Sequence, residues 1–389
     1  MEFYEHLLED YVFPNEIHVH WSLMIVLYPY ITGLVAGAFI VSSLYHVFDR
    51  QILRPIARFS LVSSFVFLLF APLPLLVHLG HPERSFNAII TPHFTSAMSG
   101  FGYVYMAYSV VVAIEIWLVF RREFLAAYSR SRGLVRAFYY LLLLGVTEAD
   151  EAALQLDRRW TKFFAGLGIP LACILHGYVG FLFGSIKANP WWSTPLMFII
   201  FLFSAIVSGI AVLIWLYQFI CWLRRLSPDE PCLQALARYL WSFMIVAVML
   251  ELMEVLSIAY EQTEEWAILK HLITVKIFWP YVVGQLLVCS LGPFLLLSAN
   301  SIFRFPRRLS HFFIWISAGA LLLQVLLMRW NVVIGGQLIS KSYRGTTSYF
   351  PKLFEKEGVL TALVIFVVPF LLIRLFDKAF PLLERRPAA

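Results

Sequence analysis

The sequence predicts an all-α polytopic membrane protein with nine transmembrane helices, and three observations carry that prediction. Of the 389 residues, 60% are hydrophobic and only 14% are charged, against about 45–50% and about 25% in soluble domains. Nine apolar runs are each long enough, at about 20 residues, to cross a bilayer as a helix. Lysine and arginine alternate between abundant and scarce from one connecting segment to the next. This excludes a soluble enzyme, a disordered tail and a nucleic-acid reader.

The runs cover roughly 21–46, 57–79, 99–120, 162–184, 194–222, 236–261, 272–299, 310–335 and 359–377. Prolines within them (Pro29, Pro72, Pro74, Pro170, Pro280, Pro293 and Pro369) predict kinks. Alternate connections and the C-terminal tail, whose last basic residues are Arg385 and Arg386, hold 21 of the 30 basic residues, and the other set holds seven. The positive-inside rule then puts the N-terminus outside and the C-terminus in the cytoplasm. The net charge of +6 is an expression of those basic loops. Residues 1–20 read as an extracytoplasmic segment. They lack Lys and Arg, which does not fit a cleavable signal peptide. Within the loop 121–161, the stretch 134–146 is too short to cross and reads as an interfacial helix. Cys173, Cys221, Cys232 and Cys289 form no CxxC pattern, so no motif points to a metal site.

Ionisable side chains inside hydrocarbon cost at least about 2.5–3.5 kcal/mol and are functional candidates by default. With the direction of each span assigned, most of them fall in the outer half: His18, His20 and Trp21 where span 1 begins, His78 and His81 at the end of span 2, His176 and Tyr178 in span 4. Glu251 and Glu254 lie three apart on span 6, hence on one helical face. Lys276 and Arg329 are available to neutralise them. Glu115, His46 and His311 lie in the inner half, and Glu115 with Ser42 and His46 is a candidate start for a cytoplasmic proton path toward Glu251 and Glu254. Trp191, Trp192 and Trp330 read as interfacial anchors.

A quinone suits this distribution. Its tail lives in lipid, its head has two carbonyl oxygens, and its chemistry moves two electrons and two protons. His20, Trp21, His78, His176 and Tyr178 would supply donors and an aromatic wall, and imidazole exchanges protons near neutrality. The carboxylates Glu115, Glu251 and Glu254 would transfer protons. Competing readings are a dihaem cytochrome b, using His78 and His176 with His46 and His311, a secondary transporter, and a structural anchor.

Several segments resemble the NrfD/PsrC family, the integral membrane subunits of polysulfide reductase-like respiratory complexes. They are HW at 20–21 with GLVAGAF at 33–39, His78 with LGHPERSF at 79–86, HGYVGFLFGSIKANPWWSTPLMF at 176–198, and RWNVVIGGQLISKS at 329–342. The last looks most like the subtype in Dsr/Hme-type menaquinol oxidoreductases. The resemblance implies two four-helix bundles, 21–184 and 185–338, with 339–389 adding an outer loop, a ninth helix and a cytoplasmic tail. It implies a multi-pass protein of the prokaryotic cytoplasmic membrane that binds menaquinone or a related quinone near the outer face, with no metal of its own. Electrons would pass between that quinone and an extracytoplasmic ferredoxin-like iron–sulfur subunit. A multihaem cytochrome c, a haem b membrane subunit and a cytoplasmic iron–sulfur subunit are further partners compatible with it. Tyr178 falls at the family's quinone-contacting tyrosine, with Arg329 close to the same outer surface. The family's second histidine, two turns into span 1, is absent from SLMIVLYPY, so the second hydrogen bond must come from elsewhere, with His78 and His176 as candidates.

Overall fold

A computed structural model describes residues 11–383 except Pro92, Phe94, Thr263 and Pro381. The first half of the expected N-terminal segment, and Arg385 and Arg386 of the expected tail, lie outside the described residues. Among the described residues nine helices are long and apolar enough to cross a membrane. They are α1 (Leu23–His46), α2 (Gln51–His78), α3 (Ala97–Val119), α4 (Glu151–Gly184), α5 (Met197–Leu223), α6 (Glu230–Glu261), α7 (Phe278–Ile302), α8 (Arg307–Gly335) and α9 (Val359–Ala379). The end where α1 begins is called upper here, and the other end lower.

Local chemistry sets the helix starts. Ser22 caps α1 by accepting from the Met24 amide at 3.2 Å, Asp150 caps α4 through the Ala153 amide at 2.8 Å, and Asp229 caps α6 through the Cys232 amide at 3.0 Å. Pro72 and Pro74 divide α2 into Arg54–Phe70 and Leu73–His78. The seventh run behaves differently from expectation. Its backbone is π-helical over Leu272–Lys276 and Phe278–Leu291, returning to α geometry at Gly292. The spanning helix therefore begins after Lys276, which sits in the upper connection facing Ser348 at 3.5 Å rather than beside Glu251. The short helix Gly133–Leu142 is 10 residues long, too short to cross, with Leu134, Phe138 and Leu141 exposed.

For description, α1–α4 are called the first group and α5–α8 the second; α1 and α4 both pack closely on α5, and α9 lies on α1 and α2. The central helix is α1, 94% buried over its most apolar window, whereas α6 is 17% buried. That explains why α1 is apolar on all sides. Its crossing with α5 is backbone to backbone: a Cβ on Gly37 would stand 2.7 Å from the Gly209 Cα. We expect Gly37→Ala to destabilise the fold by about 1–3 kcal/mol through overpacking. Gly166→Ala, where nothing lies within 4 Å, serves as the neutral control. The thermal midpoint in detergent checks this; equal midpoints would show that the crossing yields easily.

Candidate functional site

At the upper end of the first group lies an apolar cleft of about 720 Å³, a size in the range of small-molecule sites. Tyr28 and Thr32 of α1, Leu75 and Leu76 of α2, and Phe101 and Tyr105 of α3 form its walls, with His81 and Arg84 from the α2–α3 connection. Phe86 and Met98, 65% and 53% exposed, leave its edge open on the flank of the molecule.

The chemistry of the cleft centres on Tyr28. Its side chain is buried, yet its phenolic oxygen has no hydrogen-bond partner among the described residues. A buried hydroxyl left in that state costs about 1–3 kcal/mol, which an accepting ligand would recover. Phe101 meets the Tyr28 ring edge-on at 5.6 Å, and Tyr178 lies behind Phe101 at 6.4 Å. The hydroxyl of Tyr105, by contrast, donates to the Leu68 carbonyl at 2.7 Å. Tyr28, Thr32 and Tyr105 were not candidates from sequence. A signal existed: Tyr28 carries a polar atom in the apolar run SLMIVLYPY.

The five side chains expected to converge, His20, Trp21, His78, His176 and Tyr178, do not share one environment. His20 is exposed and faces the Asn15 carbonyl at 3.3 Å. Trp21 stacks on Trp192 at 5.1 Å, and Gln337 clamps its backbone, accepting from its N–H at 2.7 Å and donating to its carbonyl at 3.1 Å. These residues lie at the upper rim of the second group, beside a cleft of about 160 Å³ lined by His20, Trp192 and Gln337. His78 pairs with Glu357 at 2.7 Å, and the same carboxylate accepts from Ser22.

His176 is fully buried and is brought together with Arg329, also fully buried. The Arg329 Nη2 donates to His176 Nε2 at 3.0 Å, to Ser204 Oγ at 2.6 Å and to the Phe201 carbonyl at 3.3 Å. The guanidinium also lies 3.8 Å above the Phe201 ring. This ties α4 of the first group to α5 and α8 of the second. Arg329 is therefore an internal clasp rather than a group near the surface. The four histidines of the dihaem reading have separate partners: His78 pairs with Glu357, His176 with Arg329, His46 with Ser42 and His311 with Glu230.

The carboxylates expected to transfer protons fall in both groups, Glu115 in the first and Glu251 with Glu254 in the second. Glu115 lies beside His46, whose Nδ1 is 3.5 Å from it and 3.1 Å from Ser42 Oγ. His46 also lines a polar lower cleft of about 560 Å³ with Asp49, Arg54, Arg122 and Asp157. Glu251 accepts from Gln285 Nε2 at 2.7 Å and from Gln324 Nε2 at 3.3 Å. The expected interfacial tryptophans Trp191 and Trp192 are buried instead. Their indoles donate to the Asn331 and Val332 carbonyls at 3.0 and 2.6 Å, where the backbone turns π-helical over Asn331–Gly335. The π geometry frees those carbonyls from the α pattern, and the indoles satisfy them.

Burial tends to raise the Glu357 carboxyl, but the hydrogen bonds from Ser22 and His78 and the charges of His78 and Lys356 outweigh it and hold it below the ordinary value of 4.5. A carboxyl lowered in the folded state stabilises it above that value, and the contribution fades as pH falls through the lowered one. Glu357→Gln should thus lower the thermal midpoint at neutral pH, with the gap closing on acidification below 4.5. A gap independent of pH would show that the link contributes no charge-dependent stability.

Residues 13–341 match the NrfD polysulphide reductase family. Over 204 residues the chain is 35% identical to a selenate reductase subunit of Mesobacillus selenatarsenatis, covering 51% of this chain and 48% of that protein. It is 27% identical over 195 residues to protein NrfD of Escherichia coli, covering 49% and 58%. It is 23% identical over 246 residues to an Hdr-like menaquinol oxidoreductase integral membrane subunit of Archaeoglobus fulgidus, covering 63% and 54%. The chain spans about half the length of the curated relatives it matches, and α9 lies beyond the matched residues. With its nine apolar helices among the described residues, the chain belongs to the NrfD polysulphide reductase family and is a multi-pass integral membrane protein related to the membrane subunits of reductase and oxidoreductase complexes.

Proposed function

We propose that this chain is the quinone-reactive membrane subunit of a respiratory oxidoreductase complex, and that the cleft between α1, α2 and α3 receives the quinone head group. Tyr28, which lines this apolar cleft and whose buried hydroxyl has no partner among the described residues, carries this reading. The Archaeoglobus relative's name, a menaquinol oxidoreductase subunit, supports menaquinone or a related quinone as the substrate. Tyr28 donates to a head-group oxygen, Phe101 packs against the ring, and Tyr178 backs Phe101.

Oxidation of one quinol here releases two electrons and two protons. The electrons pass to an iron–sulfur subunit docked on the upper face, above the Trp21–Trp192 stack, and the protons leave through the imidazoles of His81 and His78 at the same end. The lower polar cleft with His46 and Glu115, and the carboxylates Glu251 and Glu254, exchange protons within the membrane. The alternation of basic residues supports an upper face on the outer side of the cytoplasmic membrane.

Tyr28→Phe should leave complex assembly intact and lower kcat/KM for quinol by roughly two- to twelve-fold, the worth of one net hydrogen bond of about 0.5–1.5 kcal/mol. An unchanged kcat/KM with a quinol substrate would overturn the assignment of the cleft. For orientation, a cysteine placed at Lys352 should be modified by a membrane-impermeant thiol reagent in intact cells, and one at Arg304 should not. The reverse pattern would invert the topology.

A further inference from the structure

The second helix group holds a polar site of its own. Glu251 and Glu254 line a cavity of about 30 Å³ together with Trp191, Tyr281, Gln285 and Asn331. That is room for one or two water molecules and too little for a quinone head.

The hydrogen bonds around this cavity have a direction. A carboxylate only accepts, so Gln285 turns its Nε2 to Glu251, at 2.7 Å. Its Oε1 is thereby left to accept, and Asn331 meets it with Nδ2 at 2.8 Å. The carboxylate thus settles both amide orientations through the network. Asn331, only 1% exposed, ends with Oδ1 unpartnered among the described residues, and so does Glu254 with Oε1. Two buried acceptors on one water-sized cavity require a donor or a cation.

Charge selects the cation. With both carboxylates ionised the cluster carries two negative charges, and the cation facing it is Arg329 from α8. Arg329 has no carboxylate within 4.0 Å among the described residues and spends its Nη2 on His176, Ser204 and the Phe201 carbonyl. Tyr281 of α7 adds a neutral phenol. One negative charge is left over.

We propose that this cavity binds one monovalent cation, a hydrated proton or a sodium ion, on the free oxygens of Glu254 and Asn331, and that a proton arriving on Glu251 expels it. Protonated Glu251 becomes a donor. Gln285 then turns its Oε1 toward Glu251 and its Nε2 toward Asn331, and Asn331 in turn presents its Nδ2 to the cavity. One proton enters as one cation leaves, so the charge of the cluster is unchanged. This rests on reading Glu251 and Glu254 as proton-exchanging groups and is independent of the quinone cleft.

The test uses the purified complex in detergent, titrated with NaCl against KCl at constant ionic strength, with calorimetry and a pH electrode in weak buffer. A sodium site gives a saturable heat and releases about one proton per chain, and both are lost in Asn331→Leu. A hydrated-proton site gives no sodium heat, but the wild type takes up its proton at a higher pH than Asn331→Leu, with the same total on full acid titration. Asn331→Ala removes the same oxygen and gives the same readout if the leucine variant fails to assemble. Tyr28→Phe should keep the cation signal, which separates failure here from failure of the quinone reading. Neither sodium heat nor a difference in the pH of proton uptake would overturn the proposal.

Discussion

The backbone contact between Gly37 of α1 and Gly209 of α5 is the constraint on which the other distances depend. Because those helices meet without side chains between them, α1 is enclosed on nearly every side. An enclosed helix has to satisfy its own polar atoms. Thr32 and Ser43 do so by donating to the Tyr28 and Phe39 carbonyls, at 2.8 and 3.0 Å. Tyr28 lies on the same rigid rod, so its phenol is held on the cleft wall by packing that a loop residue would lack.

The number, order and approximate limits of the spanning helices were legible in the sequence, because hydrocarbon imposes a minimum apolar length on any helix that crosses it. The polar side chains were legible only as a list. Hydropathy reports that a residue is tolerated at some depth and says nothing of the direction it faces around the helix. His78 finds its partner 279 residues away in Glu357, and His176 finds Arg329 153 residues away. No local pattern announces such pairs. Trp191 and Trp192 show the same limit, since an indole at a helix end reads alike whether it anchors in lipid head groups or, as here, closes the carbonyls of a π turn. Tyr28 was visible as a residue, but the significance of its hydroxyl came only with the cleft around it.

The two helix groups divide the polar work unevenly. The first combines an apolar cleft at the upper end with a polar one at the lower end, and Glu115 with His46 belongs to the latter. The second has a Glu230, Gln234 and His311 cluster at its lower end and, deeper in, an amide and carboxylate cluster bordered by π-helical backbone on α7 and on α8. Arg329 spans the seam, so a shift of α8 against α4 would be felt at His176.

The ninth helix is fastened at both of its ends. Near its start Glu357 accepts from Ser22 and His78, and near its finish the buried Asp377 pairs with Arg224 at 2.6 Å and Arg374 at 2.8 Å. Between them Phe366 and Phe370 pack on Tyr30 and Phe67. This helix therefore occupies one whole sector of the protein's perimeter. Any neighbouring membrane subunit reaching the core helix must approach from another quarter, and the asymmetry gives the assembly a handed address on its circumference.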